Sequence, residues 1–391
     1  LNSKSDNLET LKNKSVVEAT KRGLERIPSV HYSMKGFMKQ CVELYCELSG
    51  TKYNDLKISP TPSLDPHVCK DDELEEKGRL APHAAKQLMK VLYAARMYRY
   101  DLLYPVCTLA REITKWTIWC DKRLHRLMGY IKGTADYSLV SAVGDDMRNC
   151  QLLLFADADF AGDRSTSKST AGGLLVLVGP KTFAPICAAC KAQSAVSHSS
   201  TEAELISMEH CLRTEGVPVL SFWNQVFDVF YPLGKRAVKP RTRRSQQIFD
   251  DETGQFIHFT SYSPEESAAE EKFQDRVHLT ICEDNEATIK IALKKKSNVM
   301  RHVGRTHRVN LEWIFHLISS SSTVHLRYVR TTSQLADMYT KHFPNPDRDK
   351  WEKLRRSTNI IYVEPQQKAQ SLCCFVCTIK SSPSSAMAAF D

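Results

Sequence analysis

The sequence lacks any apolar run long enough to cross a membrane, because its longest such run, residues 174–178, has only the length of a strand. Glycine and proline are also scarce, with 15 and 16 occurrences in 391 residues, which excludes a collagen-like or proline-rich scaffold. The chain begins at Leu1 with neither Met nor an apolar signal segment, so we expect a fragment of a longer product. Its charged fraction of 25% and hydrophobic fraction of 42% exclude general disorder.

Cysteine is abundant, and its positions indicate a reducing compartment. The chain holds 13 cysteines, an odd count. Several occur within apolar stretches, where reduced cysteine acts as a small hydrophobe: Cys107, Cys120, Cys211 and Cys282. The pairs Cys187/Cys190 and Cys374/Cys377 have zinc-ligand spacing but lie far apart in the chain, which disfavours a zinc ribbon.

The formal net charge of +9 suits a polyanionic partner, although a solvated lysine-rich surface is the alternative. Residues 115–132 pose the same choice within one predicted helix. Their apolar side chains form a single stripe at helical spacing: Trp116, Cys120, Leu124, Leu127 and Ile131. The basic residues off this stripe, Lys122, Arg123, Arg126 and Lys132, predict either a solvated face or a face turned to nucleic acid.

The pattern of hydrophobicity divides the chain into six segments. In chain order we expect a polar N-terminal segment with a helix over 30–48 (1–80), a helical segment (81–150), a first sheet-forming segment (151–234), a disordered insertion (235–276), a second sheet-forming segment (277–345) and a tail (346–391). Five short apolar runs predict strands: 152–155, 173–178, 183–188, 277–282 and 324–329. Helices are predicted over 200–214, 218–230, 286–293, 306–318 and 333–342.

Acidic residues follow several of these strands. Asp157 ends the first strand, Asp284 follows a later one, and Asp337 comes just after the last. Taken singly, each is an ordinary turn, cap or first-turn acid. Together they are more informative, because ligands in α/β sheets gather beyond the carboxyl ends of strands.

Glu204 is set apart by its place on a predicted helix. At about 100° per residue it shares an arc with Leu205, Met208, Cys211 and Leu212. Glu202, Glu209 and Arg213 point the other way and are expected to be solvated. Since burying a bare charge is costly, Glu204 needs a partner, which is either a Lys or Arg side chain or a metal ion.

Four acids in the order Asp, Glu, Asp, Asp match the needs of a two-metal phosphodiester hydrolase. In such enzymes two divalent ions about 3.5–4 Å apart clamp the scissile phosphate. A dense set of hard oxygen ligands favours Mg²⁺ or Mn²⁺ over zinc.

At these residues the sequence resembles the ribonuclease H domain of copia-type retrotransposon polyproteins. The likeness is carried by several blocks in order: FADADFAGD (155–163), SKSTAG (167–172), SSTEAE (199–204), EDN (283–285), RTHR (305–308) and QLADMYTK (334–341). It covers roughly residues 151–345. A weaker block, MGYIKGT (128–134), resembles the segment that joins reverse transcriptase to ribonuclease H, so 81–150 is interpreted as a reverse-transcriptase remnant.

The resemblance implies a mixed five-stranded α/β sheet flanked by helices, with an upstream helical segment. It implies that two Mg²⁺ ions, or Mn²⁺, are held by Asp157, Glu204, Asp284 and Asp337. The implied reaction is endonucleolytic cleavage of the RNA strand of RNA–DNA hybrids during reverse transcription. The implied partners are that hybrid and the rest of the Pol polyprotein with its reverse transcriptase, and no membrane is involved. The implied location is the cytoplasm or virus-like particles, with access to the nucleus. The alternative is an inactive hybrid-binding or tethering module, or a relic fragment.

Two departures from the family pattern bear on this interpretation. No Tyr-x-Asp-Asp motif occurs, so the polymerase active site is absent from this chain. The loop 330–333 reads RTTS, without the His that many ribonucleases H carry before the last Asp.

Expected contacts to nucleic acid come from residues near the predicted site. Ser167, Ser169 and Thr170 would hydrogen-bond the sugar-phosphate backbone, unless they serve only the turn. Further candidates are Lys168, Lys191, Asn285, Arg301, Arg305, His307, Arg308 and Lys341. Recognition is expected to read groove shape and 2′-hydroxyls rather than bases.

Overall fold

The computed structural model describes residues 27–163, 166–231, 245–250, 255–260, 277–294, 300 and 302–363. Its strands are, in chain order, β1 (Ser29–Tyr32), β2 (Tyr137–Ala142), β3 (Gln151–Asp159), β4 (Thr170–Gly179), β5 (Thr182–Ala192), β6 (Ser245–Asp250), β7 (Gln255–Thr260), β8 (Leu279–Glu283), β9 (Val324–Tyr328) and β10 (Ile360–Tyr362). Eight of them form one mixed sheet in the order β1-β2-β5-β4-β3-β8-β9, with β10 also paired to β2. The predicted mixed α/β architecture is therefore present.

The centre of the sheet changes strand direction at β3. Strands β3, β4 and β5 form an antiparallel meander, whereas β8 runs parallel to β3 and β9 runs parallel to β8. The apolar runs that predicted five strands all overlap these five elements. Strands β3 and β4 are buried along most of their length, and strands buried on both faces read as continuous apolar sequence.

The sheet is wider than the five strands expected, because β1, β2 and β10 extend it beyond β5. These strands come from the segments expected to be polar, helical and tail-like. They are short, and β2 meets β5 through the single pair Ala142↔Phe183. Strand β1 alternates half-buried and exposed residues, so its apolar content is too low to stand out in the sequence.

Upstream of residue 150 the chain forms helices α1 (Lys35–Ser49), α2 (Asp71–Glu75), α3 (Ala84–Met97), α4 (Leu103–Arg111) and α5 (Ile118–Thr134). The helix expected over 30–48 begins later, at Lys35, since the residues before it pair as β1. The apolar stripe of α5 is buried as predicted. Its basic side chains bind the chain itself: Arg126 donates to the Thr61 carbonyl over 2.9 Å, and Lys132 to that of Leu56 over 2.8 Å.

Downstream lie α6 (Ser200–Cys211), α7 (Val217–Phe230), α8 (Glu286–Lys294), α9 (Val303–Thr306), α10 (Leu311–Ser320) and α11 (Arg348–Ser357). The helix predicted over 306–318 is wrong at its start. Arg308 takes a left-handed conformation with φ 56°, which breaks the helix. Asn310 then caps α10 by accepting a hydrogen bond from the Trp313 amide over 3.1 Å.

The helix predicted over 333–342 is also wrong, because short 3₁₀ turns occupy Thr331–Ser333 and Leu335–Tyr339. Gln334 separates them. Its side-chain amide donates to the Ala156 carbonyl of β3 over 2.9 Å, and its side-chain oxygen accepts from the Ala336 amide. The loop is thereby held against the sheet instead of continuing as a helix.

Two apolar cores cover the two faces of the sheet. Alternate residues of β3 divide between them: Leu153 and Phe155 pack with the upstream helices, and Leu152 and Leu154 pack with α6, α7, α8 and α10. The upstream helical segment and the sheet therefore share one core.

The insertion expected to be disordered contains a paired hairpin. Strands β6 and β7 are antiparallel, with Ile248 opposite Ile257 and Phe249 opposite Phe256, and they form a two-stranded sheet of their own. The remainder of the insertion, like residues 364–391 of the tail, lies outside the described residues, so the expected disorder stays a prediction there. In the described part of the chain, no helix combines the length and apolarity that a bilayer crossing requires.

Candidate metal centre

Asp157 and Asp284 are brought side by side by the parallel pairing of β3 with β8. Phe155 pairs with Cys282 in that ladder. Each acid lies two residues beyond this pair, so the two side chains project from the same level of neighbouring strands, which are about 4.8 Å apart. The geometry agrees with the expectation that ligands gather at the carboxyl ends of strands.

Glu204 reaches the same place from helix α6. The helix is capped by Ser199, whose hydroxyl accepts from the Glu202 amide over 3.1 Å. One helical turn below Glu204, the Ser207 hydroxyl donates to the Asp157 carbonyl over 2.6 Å and fixes the helix to β3. Asp157, Glu204 and Asp284 each offer an oxygen, and these oxygens all lie within 4.8 Å of one another.

This acidic triad could hold a metal ion. Within the part of the chain that the structure describes, it is the one group of three potential ligands that meets this distance. Asp157 is 2% exposed and Glu204 is 7% exposed. Oxygen Oε2 of Glu204 is buried and accepts no hydrogen bond. A buried carboxylate oxygen without a donor is unfavourable, and a hard divalent cation would satisfy it.

The crowding of these acids raises the cost of ionising them. Burial raises the pKa of Asp157 to about 7, although Lys341 and Thr340 act to lower it. Burial, followed by the charges of Glu283 and Asp157, raises the pKa of Glu204 well above its ordinary value. A bound cation would oppose both effects by favouring the ionised forms.

Glu283 is a further buried acid of this cluster that the sequence reasoning missed. Its Oε1 accepts from the Asn285 amide over 3.1 Å, and its Oε2 is buried without a hydrogen bond. Burial raises its pKa well above the ordinary value, against the pull of the Asn285 amide. Strand alternation was the available signal: Glu283 shares the face of Ile281, which packs in the same core as α6.

Asp337 is not part of the triad and forms ion pairs with two lysines. It is fully buried in the turn Leu335–Tyr339. Lys341 Nζ lies 2.5 Å from Asp337 Oδ1 and 3.4 Å from Asp157 Oδ1, and Lys350 Nζ lies 3.3 Å from Asp337 Oδ2. Thr340 donates a hydrogen bond from its hydroxyl to Asp157 Oδ2. Three of the four predicted acids thus come together, and Lys341 links the fourth to them.

The expectation that Glu202 and Glu209 are solvated is wrong. They are 2% and 4% exposed, because helix α6 is covered on more than one side. Glu202 lies 3.2 Å from Nε2 of His302 and 3.3 Å from Nε2 of His307. Glu209 pairs with Arg213 over 2.8 Å. The helical arc identified which face of α6 packs on the sheet. It could not show that the opposite face is covered by the residues around α9.

The residues expected to contact nucleic acid divide between surface and interior. Ser167, Lys191, Arg305 and Arg308 are exposed, and Lys168 and Asn285 are half-buried, whereas Arg301 lies outside the described residues. Ser169, Thr170 and His307 are buried.

The buried members of that set bind the chain itself. Ser169 accepts from the Ala161 amide over 3.1 Å, and the Thr170 hydroxyl accepts from Arg111 over 3.1 Å. Half-buried Asn285 also binds the chain itself, since it caps α8 by accepting from the Thr288 amide over 3.2 Å. These contacts favour the alternative in which Ser169 and Thr170 serve the local structure.

No protein-family model matches this chain, and no solved structure matches it. The geometry of the acids and the sequence motifs that surround them therefore carry the information on function.

Proposed function

We propose that this chain is a ribonuclease H-type endonuclease from a copia-type retrotransposon polyprotein, which hydrolyses the RNA strand of RNA–DNA hybrids with Mg²⁺. The observation that supports this most is the acidic triad, in which Asp157, Glu204 and Asp284 converge from two parallel strands and a helix. Their carboxylates supply hard oxygen donors, which are the ligands that Mg²⁺ prefers.

The order of the central strands also favours the proposal. Within the eight-stranded sheet, β5, β4 and β3 are antiparallel neighbours and β8 and β9 run parallel to β3, an order compatible with the five-stranded mixed sheet that the resemblance implies. On this proposal β1, β2, β10 and the helices α1 to α5 belong to the remnant of the reverse transcriptase.

The chain's own residues have distinct tasks in such a site. Asp157, Glu204 and Asp284 would hold the cations, and Asp337 would join them when its lysines release it. Bound divalent cations would supply charge neutralisation at the phosphate and a more acidic coordinated water. Thr340 donates to Oδ2 of the Asp157 carboxylate and Lys341 lies 3.4 Å from its Oδ1, so that both oxygens of this carboxylate are held in place.

Substrate binding would depend on the exposed cations near this edge. Lys191, Arg305 and Arg308 are on the surface, and half-buried Lys168 lies in the loop that follows β3. Contacts of this kind to phosphates are sequence-independent and weaken steeply with salt. We therefore expect hybrid binding to fall sharply between low and physiological ionic strength.

A labelled RNA–DNA hybrid tests the proposal directly. The full chain is incubated with the hybrid while Mg²⁺ is titrated, and RNA cleavage is followed on a denaturing gel. Cleavage should require Mg²⁺ and should be lost in Asp157→Asn. The matched control is Asp136→Asn, a surface acid paired with Lys35, which should cleave normally. Folded protein that neither binds Mn²⁺ nor cuts the hybrid would exclude the proposed activity.

A hybrid-binding module without catalysis is the second candidate. The observation that favours it is the pairing of Asp337 with both Lys341 and Lys350, which leaves three acids rather than four for cations. Tight, salt-dependent hybrid binding without any cleavage at saturating Mg²⁺ would identify this function.

A further inference from the structure

Lys341 occupies the space between two buried carboxylates. Its ammonium lies 2.5 Å from Asp337 Oδ1 and 3.4 Å from Asp157 Oδ1. Both acids are 2% exposed or less, while the lysine side chain is 36% exposed. A single Nζ therefore bridges an acid of the triad and the one acid of the predicted set that lies outside it.

We propose that Lys341 is a built-in cation that competes with the second metal ion of the site. A divalent ion bridging Asp157 and Asp337 needs the space that the ammonium takes, and both cations seek the same oxygens. This inference rests on the proposed function, since it concerns how the acids share their metals. The oxygens of Asp157, Glu204 and Asp284 already lie within 4.8 Å of one another, so a first ion at the triad would share only Asp157 with the contacts of Lys341.

The exposure of the lysine gives it a route out of the site. Its stem is long and unbranched, and its side chain reaches solvent, so the ammonium can withdraw to water when an ion arrives. Lys350 differs, because it contacts only Asp337 among the acids discussed here and its side chain is 49% exposed. Removing Lys350 changes the local charge equally but leaves the bridge between the two acids in place.

Calorimetric titration of the full chain with Mn²⁺ alone tests the competition without using catalysis. In the wild type the first ion should bind at the triad and the second more weakly. In Lys341→Met the second ion should bind about tenfold more tightly, the size expected for loss of one charge-assisted hydrogen bond that opposes it. Lys341→Arg should keep the wild-type affinity, and Lys350→Met should change the second affinity by about threefold at most, because its exposed charge is screened.

The outcomes separate this inference from the proposed activity. An unchanged or weaker second ion in folded Lys341→Met overturns the competition, even where the wild type binds one ion and cleaves the hybrid. A wild type that binds no Mn²⁺ removes both the competition and the metal-dependent function. Circular dichroism verifies folding, and Lys341→Gln, which keeps a polar side chain of similar length, replaces Lys341→Met if that variant does not fold.

Discussion

Burial raises the pKa of several acids in the cluster, and these raised pKa values make the stability of the fold depend on pH when no metal is bound. Burial raises the pKa of Asp157 to about 7 in the folded state, while its ordinary value is near 3.8. Between about pH 4 and pH 7, Asp157 is therefore protonated in the folded protein and ionised in the unfolded chain. Stability should fall as pH rises from about 4 to 7 and should level off above it.

Urea unfolding of the metal-free protein at pH 5 and pH 7.5 measures this effect. We expect the free energy of unfolding to be lower at pH 7.5 by on the order of a few kcal/mol. Glu204→Gln should reduce the difference, because it removes a second buried acid whose pKa is raised in the folded state, and it should abolish Mn²⁺ binding at the triad. The idea fails if the metal-free wild type is more stable at pH 7.5 than at pH 5.

Glu202 is expected to matter for stability rather than for metal binding. It is buried, accepts from the His198 amide over 3.1 Å, and lies against His302 and His307. Glu202→Gln keeps the size of the side chain but removes the charge that both imidazoles face. We expect a loss of about 1–3 kcal/mol in the free energy of unfolding, measured by urea titration.

Mn²⁺ affinity is the companion measurement for this variant. It should change little in Glu202→Gln, because the contacts of Glu202 run to the residues around α9 and not to the triad. A variant as stable as the wild type would show that the histidine contacts contribute nothing.

At the scale of elements, helix α6 lies close against β4, and a glycine permits this approach. A Cβ added at Gly173 would lie 2.5 Å from Cys211 Sγ and 3.2 Å from the Phe155 carbonyl. Gly173→Ala should therefore push α6 away from the sheet and carry Glu204 with it. We expect a loss of about 1–3 kcal/mol in stability together with weaker Mn²⁺ binding.

Gly36→Ala is the matched control. An added Cβ there meets nothing within 4 Å, and the position lies in helix α1. Alanine should raise stability by about 0.5–1 kcal/mol. If Gly173→Ala behaves like Gly36→Ala, the close approach of α6 to β4 does not control the position of Glu204.

Strands β3 and β4 could be predicted because both of their faces are buried, so that their apolar runs stand out in the sequence. Glu204 could be predicted because its helical arc faces the sheet. Lys341 could be placed near the site, but its bridge depends on a 3₁₀ turn that Gln334 holds against β3, and no local pattern encodes that contact. Glu202 was misjudged for a similar reason, since its burial depends on residues about a hundred positions away.

At the scale of the whole molecule, the hairpin β6–β7 stands outside the main sheet. Among the residues that the structure describes, its strands pair with each other and with no strand of the main sheet, while β8 pairs with β3 and β9. Deleting residues 235–275 should leave a protein with the same helical content and a melting temperature within a few degrees of the wild type, about the change expected for a peripheral segment. Circular dichroism and thermal melting would measure both, and a collapsed melting transition would show that the insertion is structural.

The core that the upstream helices share with the sheet determines how far the chain can be truncated. Phe155 and Leu174 pack in one core with helices that come before residue 150, although all but one of the sequence blocks that carry the resemblance lie after it. Truncating the chain to residues after 150 would expose the apolar face of the sheet that the upstream helices cover. We expect the truncated protein to aggregate. A protein made to study the acidic triad therefore has to include the upstream helices, which cover this face of the sheet.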